Sequence, residues 1–340
     1  MNMEGKLEAL VSRYRELEID KQIDYDKFYL YSLITHSTAI EGSTITELEN
    51  QIMFDHGVSL KGKSIEEQSM NLDLKAAYEK AISLAKQHVT ITVEMLISLS
   101  ALVMKNTGNE YKTALGDFSS ARGELRLLNV TAGVGGRSYM NYSKVPAKLT
   151  EFCERLNANR SKASTMSIDE RYQLTFDAHY DLVTIHPWAD GNGRMARLVM
   201  NMLQFEFGLI PTKIFQEDKE EYIKSLVATR EDDDLNIFRE FMSTMMARNL
   251  SNEMDAYMKF MDITEKSREK TTKGREKSEK SREKIIALLA EDGKLSAMAL
   301  AGRIGITPKA VEKHLAKLKA EGIITRIGPA KGGHWEVVVS

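Results

Sequence analysis

One stretch limits what this chain can be: His186-Pro187-Trp188-Ala189-Asp190-Gly191-Asn192-Gly193-Arg194-Met195-Ala196-Arg197. It gathers an imidazole, a carboxylate, a glycine-flanked turn and two guanidiniums within twelve positions. Gly191-Asn192-Gly193 suits a turn that points backbone N–H groups at one spot. The spacing after it predicts a helix over 194–207, with Met195, Leu198, Met202 and Phe205 on one apolar side. A glycine turn opening a helix leaves unpaired N–H groups at the positive end of the dipole, which is where an anion sits. Arg194 and Arg197 share a face and can pair phosphate oxygens in bidentate fashion. Asp190, just before the turn, can hold Mg²⁺ against the same phosphates. His186 is the group suited to take a proton near neutral pH.

Any one of these residues has an ordinary explanation: a surface turn, a helix end, a solvated arginine. Together, a base, a metal carboxylate, an N–H cradle and two arginine clamps read as a site for phosphoryl or nucleotidyl transfer.

The stretch resembles the signature of the Fic family, His-Pro-Phe-x-Asp/Glu-Gly-Asn-Gly-Arg-x-x-Arg, with Trp188 in place of phenylalanine as a packing residue. The resemblance implies a protein adenylyltransferase that moves AMP from ATP to a Ser, Thr or Tyr hydroxyl of a protein, itself included. It assigns the base to His186 and Mg²⁺ to Asp190. Gly191, Asn192, Gly193 and Arg194 then hold the transferring phosphate, and Arg197 orients the γ-phosphate. Ser37-Thr38-Ala39-Ile40-Glu41-Gly42 resembles the family's inhibitory motif, which places Glu41, with Ser37, against Arg197 in the space the γ-phosphate needs. Alternatives that keep the site are transfer of another nucleotide or of phosphocholine, and removal of AMP from a modified protein. An alternative of another class is a nucleotide-sensing, DNA-binding regulator.

Between 108 and 146 glycines gather, and two β-type segments, 125–131 and 137–142, flank a turn suited to a hairpin. By the same resemblance this is a flap that pairs with the target peptide, centred on Val134, Gly135, Gly136 and Arg137. Tyr222, on a predicted helix over 216–229, falls where a family tyrosine lines the nucleotide site. His179 reads as a satisfied structural histidine.

The remainder is long 3.6-period segments with only five prolines, so the fold class is mainly α: a helical bundle with a small β-hairpin flap and a C-terminal winged helix-turn-helix. The expected divisions are 1–95, a helical region holding the inhibitory helix; 96–262, the catalytic domain; 263–284, a charged linker or helix; and 285–340, the winged helix. In the last, a recognition helix over 307–319 carries Lys309, Lys313 and Lys317 at a spacing of four. With Arg326 and Lys331 these can meet DNA phosphate; docking to protein is the competing use. A net charge of −2 gives the whole chain no general pull on nucleic acid. Cys153 is the single cysteine, and no run approaches a membrane span, so a reducing cytoplasm is the expected location. The sequence is compatible with a homo-oligomer.

Overall fold

The computed structural model describes residues 6–132, 137–329 and 332–338, without the side chains of Lys6 and of 265–276. In chain order the helices and strands are α1 (Lys6–Glu16), α2 (Tyr25–Ile40), α3 (Glu47–His56), α4 (Ile65–Lys86), α5 (Val93–Val103), β1 (Glu110–Thr113), β2 (Gly116–Ser119), α6 (Val145–Arg160), α7 (Ile168–Ile185), α8 (Asn192–Glu206), α9 (Lys219–Asp232), α10 (Leu235–Glu291), α11 (Ala297–Ile304), α12 (Pro308–Ala320), β3 (Ile324–Ile327) and β4 (His334–Val337). The chain forms two compact units, Met1–Asp255 and Ala256–Ser340.

In the first unit α8 is the axis. It packs against α7, α4, α5 and α2 and is buried nearly all round, from Asn192 to Gln204. The sequence predicted one apolar side; the other sides are buried polar groups with partners. Asn201 accepts from the Tyr78 hydroxyl at 2.6 Å and donates to the Thr212 carbonyl at 3.0 Å. Gln204 donates to Thr175 and Thr212 at 3.0 and 2.9 Å. Hydrogen bonds of this kind offset the cost of burying amide side chains in a central helix. Capping boxes at Thr46/Glu49, Ser64/Glu67 and Ser167/Glu170 start α3, α4 and α7.

α2 covers the predicted 25–40 and stops where Gly42 takes φ +106°. Its C-terminal turn is fixed by a buried polar network. Asn71 accepts from Thr38 at 2.8 Å and from Asn50 at 2.9 Å, and donates to Ser43 at 3.1 Å.

The glycine-rich region departs from expectation. The hairpin lies earlier, as β1 against β2, with Glu110 opposite Ser119. Segments 125–131 and 137–142 form no ladder; they meet in one bridge, Thr131 with Ser138. The fully buried Arg126 accounts for this. Its guanidinium takes the carbonyls of Leu128 and Met140, which then have no strand partner. Val134, Gly135 and Gly136, the proposed flap centre, lie outside the described residues; Arg137 is exposed, 3.8 Å from Glu231.

In the second unit, α11 and α12 meet through a turn at Gly305 (φ +78°). Ile285, Leu289, Leu300, Val311, Leu315, Leu318 and Ile324 form its core. Thr307 caps α12 with Pro308 at its first position, and β3 pairs antiparallel with β4. The charged segment expected as a linker or helix falls within α10.

Candidate active site

The site is the junction of α7 and α8. His186 ends α7 in a left-handed conformation (φ +51°, ψ +62°), its N–H still reaching the Leu182 carbonyl at 2.9 Å. A non-glycine residue there carries strain, and Pro187 after it forbids further helix. Arg126 holds the bend. Its Nε donates to the His186 carbonyl at 2.8 Å, and its backbone N–H donates to the Pro187 carbonyl at 3.1 Å. Tyr139 lies flat on the imidazole, centroids 3.7 Å apart and planes 16° from parallel. Burial pulls the His186 pKa down to about 4; the Val183 backbone opposes this, and the Arg126 and Arg230 charges add to it. The ring is therefore neutral at physiological pH, able to accept a proton.

The loop that follows is tied from within. Trp188 is fully buried and donates from Nε1 to the Gly123 carbonyl at 2.9 Å, as befits a packing residue. The Asn192 side chain donates to the Trp188 carbonyl at 2.9 Å and accepts from the Trp188 N–H at 3.1 Å. Asn192 thus offers a ligand only its backbone. Gly191 needs φ +79°, and a Cβ there would stand 2.6 Å from Met104 Sδ.

The guanidiniums of Arg194 and Arg197 are both buried, with different surroundings. Arg197 donates from Nε to Ser37 Oγ at 2.8 Å, and from Nη2 to the Ser37 carbonyl at 2.9 Å and to Glu41 Oε1 at 2.5 Å. Burial works against both charges of this pair, and their mutual attraction outweighs it. The Glu41 carboxyl is held below its ordinary value and the Arg197 guanidinium above its own. Gly193 makes the contact possible, since a Cβ on it would lie 2.8 Å from Glu41 Oε1. Arg194 has no such pairing: its Nε and Nη1 are buried without a hydrogen-bond partner, and Asp190 is 3.7 Å from its Nη2. Burial pulls its pKa down, opposed first by Asp190 and then by Glu41.

The Asp190 side chain is half exposed, and Oδ1 accepts from the Gly191 N–H at 2.6 Å. Among the described residues no cluster of three or more His, Cys, Asp or Glu forms a ready cage. A lone carboxylate beside a phosphate cradle still fits Mg²⁺, which takes one or two carboxylates and shares the rest of its shell with phosphate and water.

The structure thus brings His186, Asp190, Gly191, Gly193, Arg194, Arg197, Ser37 and Glu41 to one place. Tyr222 is buried, packed near Phe238 and Phe241, with its hydroxyl 2.9 Å from His179 Nε2 and the charges of Arg197 and Glu41 acting on it. The contact gives His179 its partner. Arg126 and Tyr139 escaped the sequence reading. Neither lies in the motif, and both sit in segments whose alternation read as strand.

A helical bundle with a glycine turn opening its central helix, arginines on that helix and a histidine at the preceding helix end defines the Fic class of fold. Residues 90–204 match the Fic/DOC family model, and residues 278–325 match a winged helix-turn-helix DNA-binding model. The chain carries a Fic/DOC domain followed by a winged helix-turn-helix module. Protein adenylyltransferase fic-1 of Caenorhabditis elegans is 29% identical over 203 residues, 59% of this chain and 36% of that protein. Protein adenylyltransferase Fic of Culex quinquefasciatus is 30% identical over 219 residues, 64% of this chain and 40% of its own length. The chain therefore spans about two fifths of these curated relatives. A Fic family protein from Desulfovibrio desulfuricans G20 shares the fold over 100% of this chain and 95% of its own, at a TM-score of 0.59 and 17% identity. A Fic domain containing signaling protein from Bacteroides thetaiotaomicron covers 72% of this chain and 94% of its own, at a TM-score of 0.61 and 21% identity.

Proposed function

We propose that the chain is a protein adenylyltransferase whose site is held inactive by Glu41. The observation that carries this is Arg194, a buried guanidinium with two partnerless nitrogens at the N-terminus of α8. Such a group calls for a bound anion, and the N–H groups of Asn192 and Gly193, in the first turn of α8, face the same need. The polyphosphate of ATP supplies it.

In this reading a Ser, Thr or Tyr hydroxyl of the target attacks the α-phosphorus. The bond from that phosphorus to the bridging oxygen breaks, and pyrophosphate leaves. The hydroxyl proton passes to His186, whose neutral ring is ready to take it. Arg194 and the turn's N–H groups stabilise the charge that builds on the phosphoryl oxygens. Mg²⁺, held by Asp190 and phosphate oxygens, would neutralise part of the polyphosphate charge. Arg197 grips the γ-phosphate once Glu41 has left it. While Glu41 stays, its carboxylate fills the anion position and repels the phosphate.

The target is a protein hydroxyl, on this chain or another. Mass spectrometry of the Glu41→Gly protein after incubation with ATP and Mg²⁺ tests the reaction. One added AMP on a hydroxyl residue, lost when His186→Ala is combined with it, is the expected result. AMP added equally without His186 would remove the base from the mechanism.

For the winged helix we propose DNA binding. Lys309, Lys313 and Lys317 are all exposed on α12, where phosphate contacts would fall.

A further inference from the structure

A cavity of about 360 Å³ lies beside the site. α7 contributes Tyr180 and Val183, α9 contributes Leu226, Val227 and Arg230, and Tyr139 closes one side. Tyr139 is also the ring stacked on His186, so cavity and reaction centre share a wall. Nearly all of that lining is aromatic or aliphatic. The exceptions are Thr184 and Arg230; the Arg230 guanidinium carbon is 5.6 Å from the Tyr139 ring centroid and its Nε is buried without a hydrogen-bond partner. An apolar slot with one unspent donor complements a flat heteroaromatic ring with an acceptor on its edge.

Arginine donates and never accepts. It suits a base edge that presents acceptors. Guanine offers N7 and O6 side by side, whereas adenine offers N7 next to the amino group on C6, which is itself a donor. Glutamine or asparagine can pair with adenine's mixed edge; arginine cannot. Resting on the nucleotidyl-transfer reading, we infer that this cavity seats the base of the donor nucleotide and that Arg230 reads its acceptor edge, so that GTP is taken beside ATP.

The test is calorimetric titration of the Glu41→Gly protein with inorganic triphosphate and with the α,β-methylene analogues of ATP and GTP, repeated with Arg230→Gln added. Melting temperatures confirm that both variants are folded. Both nucleotides are expected to bind more tightly than triphosphate, with GTP and ATP analogues within about tenfold of one another. Arg230→Gln should weaken the GTP analogue by about fivefold or more relative to the ATP analogue and leave triphosphate unchanged. A purely structural role for Arg230 would move all three ligands alike. Equal shifts for the two nucleotides, or no gain of either over triphosphate, overturn the assignment of Arg230 and leave phosphate binding standing. Failure of all three ligands to bind would remove the underlying transfer reading and this inference with it.

Discussion

Arg197 and Glu41 are joined at 2.5 Å although 156 residues separate them, because Ser37, one turn earlier on α2, holds the same guanidinium through its hydroxyl and its carbonyl. The C-terminal end of α2 thus grips the arginine through two residues, and only one of them uses a carboxylate.

That division predicts a split between stability and activity. Glu41→Gln keeps the side chain's shape and leaves Arg197 to Ser37. It should lower unfolding free energy by about 1–3 kcal/mol. ATP with Mg²⁺ should then raise the melting temperature of the variant more than that of the wild type, since the nucleotide replaces the lost anion. Thermal unfolding with and without nucleotide checks both; equal nucleotide shifts would contradict the competition.

The positioning of Glu41 depends on residues that never touch it. Asn71 joins Thr38 of α2 to Asn50 of α3 and to Ser43 just past Gly42. Asn71→Ala leaves these buried groups short of partners, at a cost of roughly 2–4 kcal/mol. The end of α2 loosens, and AMP transfer by the otherwise wild-type chain should rise several-fold. A radiolabelled-ATP assay reads this out, and unchanged transfer in a destabilised variant would separate the network from the gate.

Two neutral histidines make the fold sensitive to acid. Burial lowers His186 from 6.5 to about 4 and His179 from 6.5 to about 3. Below pH 6.5 the unfolded chain binds protons at both positions that the folded chain refuses. Their contribution is therefore full above 6.5 and declines as pH falls towards 4, by up to about 1.4 kcal/mol per pH unit for each group. Urea midpoints should drop between pH 7 and pH 5. Over the same interval transfer by the Glu41→Gly protein should show no acid limb from His186, since its ring stays unprotonated. An activity midpoint near 6.5 would place His186 in a more solvated setting than the structure gives it.

Arg126 positions His186 through its backbone. It supplies donors to the carbonyls of His186, Leu128 and Met140. Lysine has one nitrogen and cannot span all three. Arg126→Lys in the Glu41→Gly background should lower kcat about tenfold or more while KM for ATP moves little, because a misplaced base costs rate and leaves nucleotide binding intact. Steady-state kinetics distinguishes this from a general loss of folding, which would lower the active fraction alone.

The motif and both helices that flank it were legible because their signal is local: turn glycines, capping residues and a helical period. So was Glu41, whose partner followed from family resemblance and was then placed by the fold. What escaped was set by tertiary structure. Arg126 sits among leucines in a segment that alternates like a strand, yet its burial beneath His186 turns that segment into a strapped loop. The β1–β2 hairpin is short, with Tyr111 and Phe118 paired across it, and carries too little periodicity to stand out. Tyr222 came by analogy, and its contact with His179, 43 positions away, is one that no local pattern announces.

The most direct measurement is pyrophosphate release with ATP and Mg²⁺, wild type against Glu41→Gly, each with and without His186→Ala. A carboxylate occupying the γ-phosphate position predicts a rate at least about tenfold higher for Glu41→Gly, abolished by His186→Ala. Equal rates for wild type and Glu41→Gly would contradict it and reduce the Glu41–Arg197 contact to a structural ion pair.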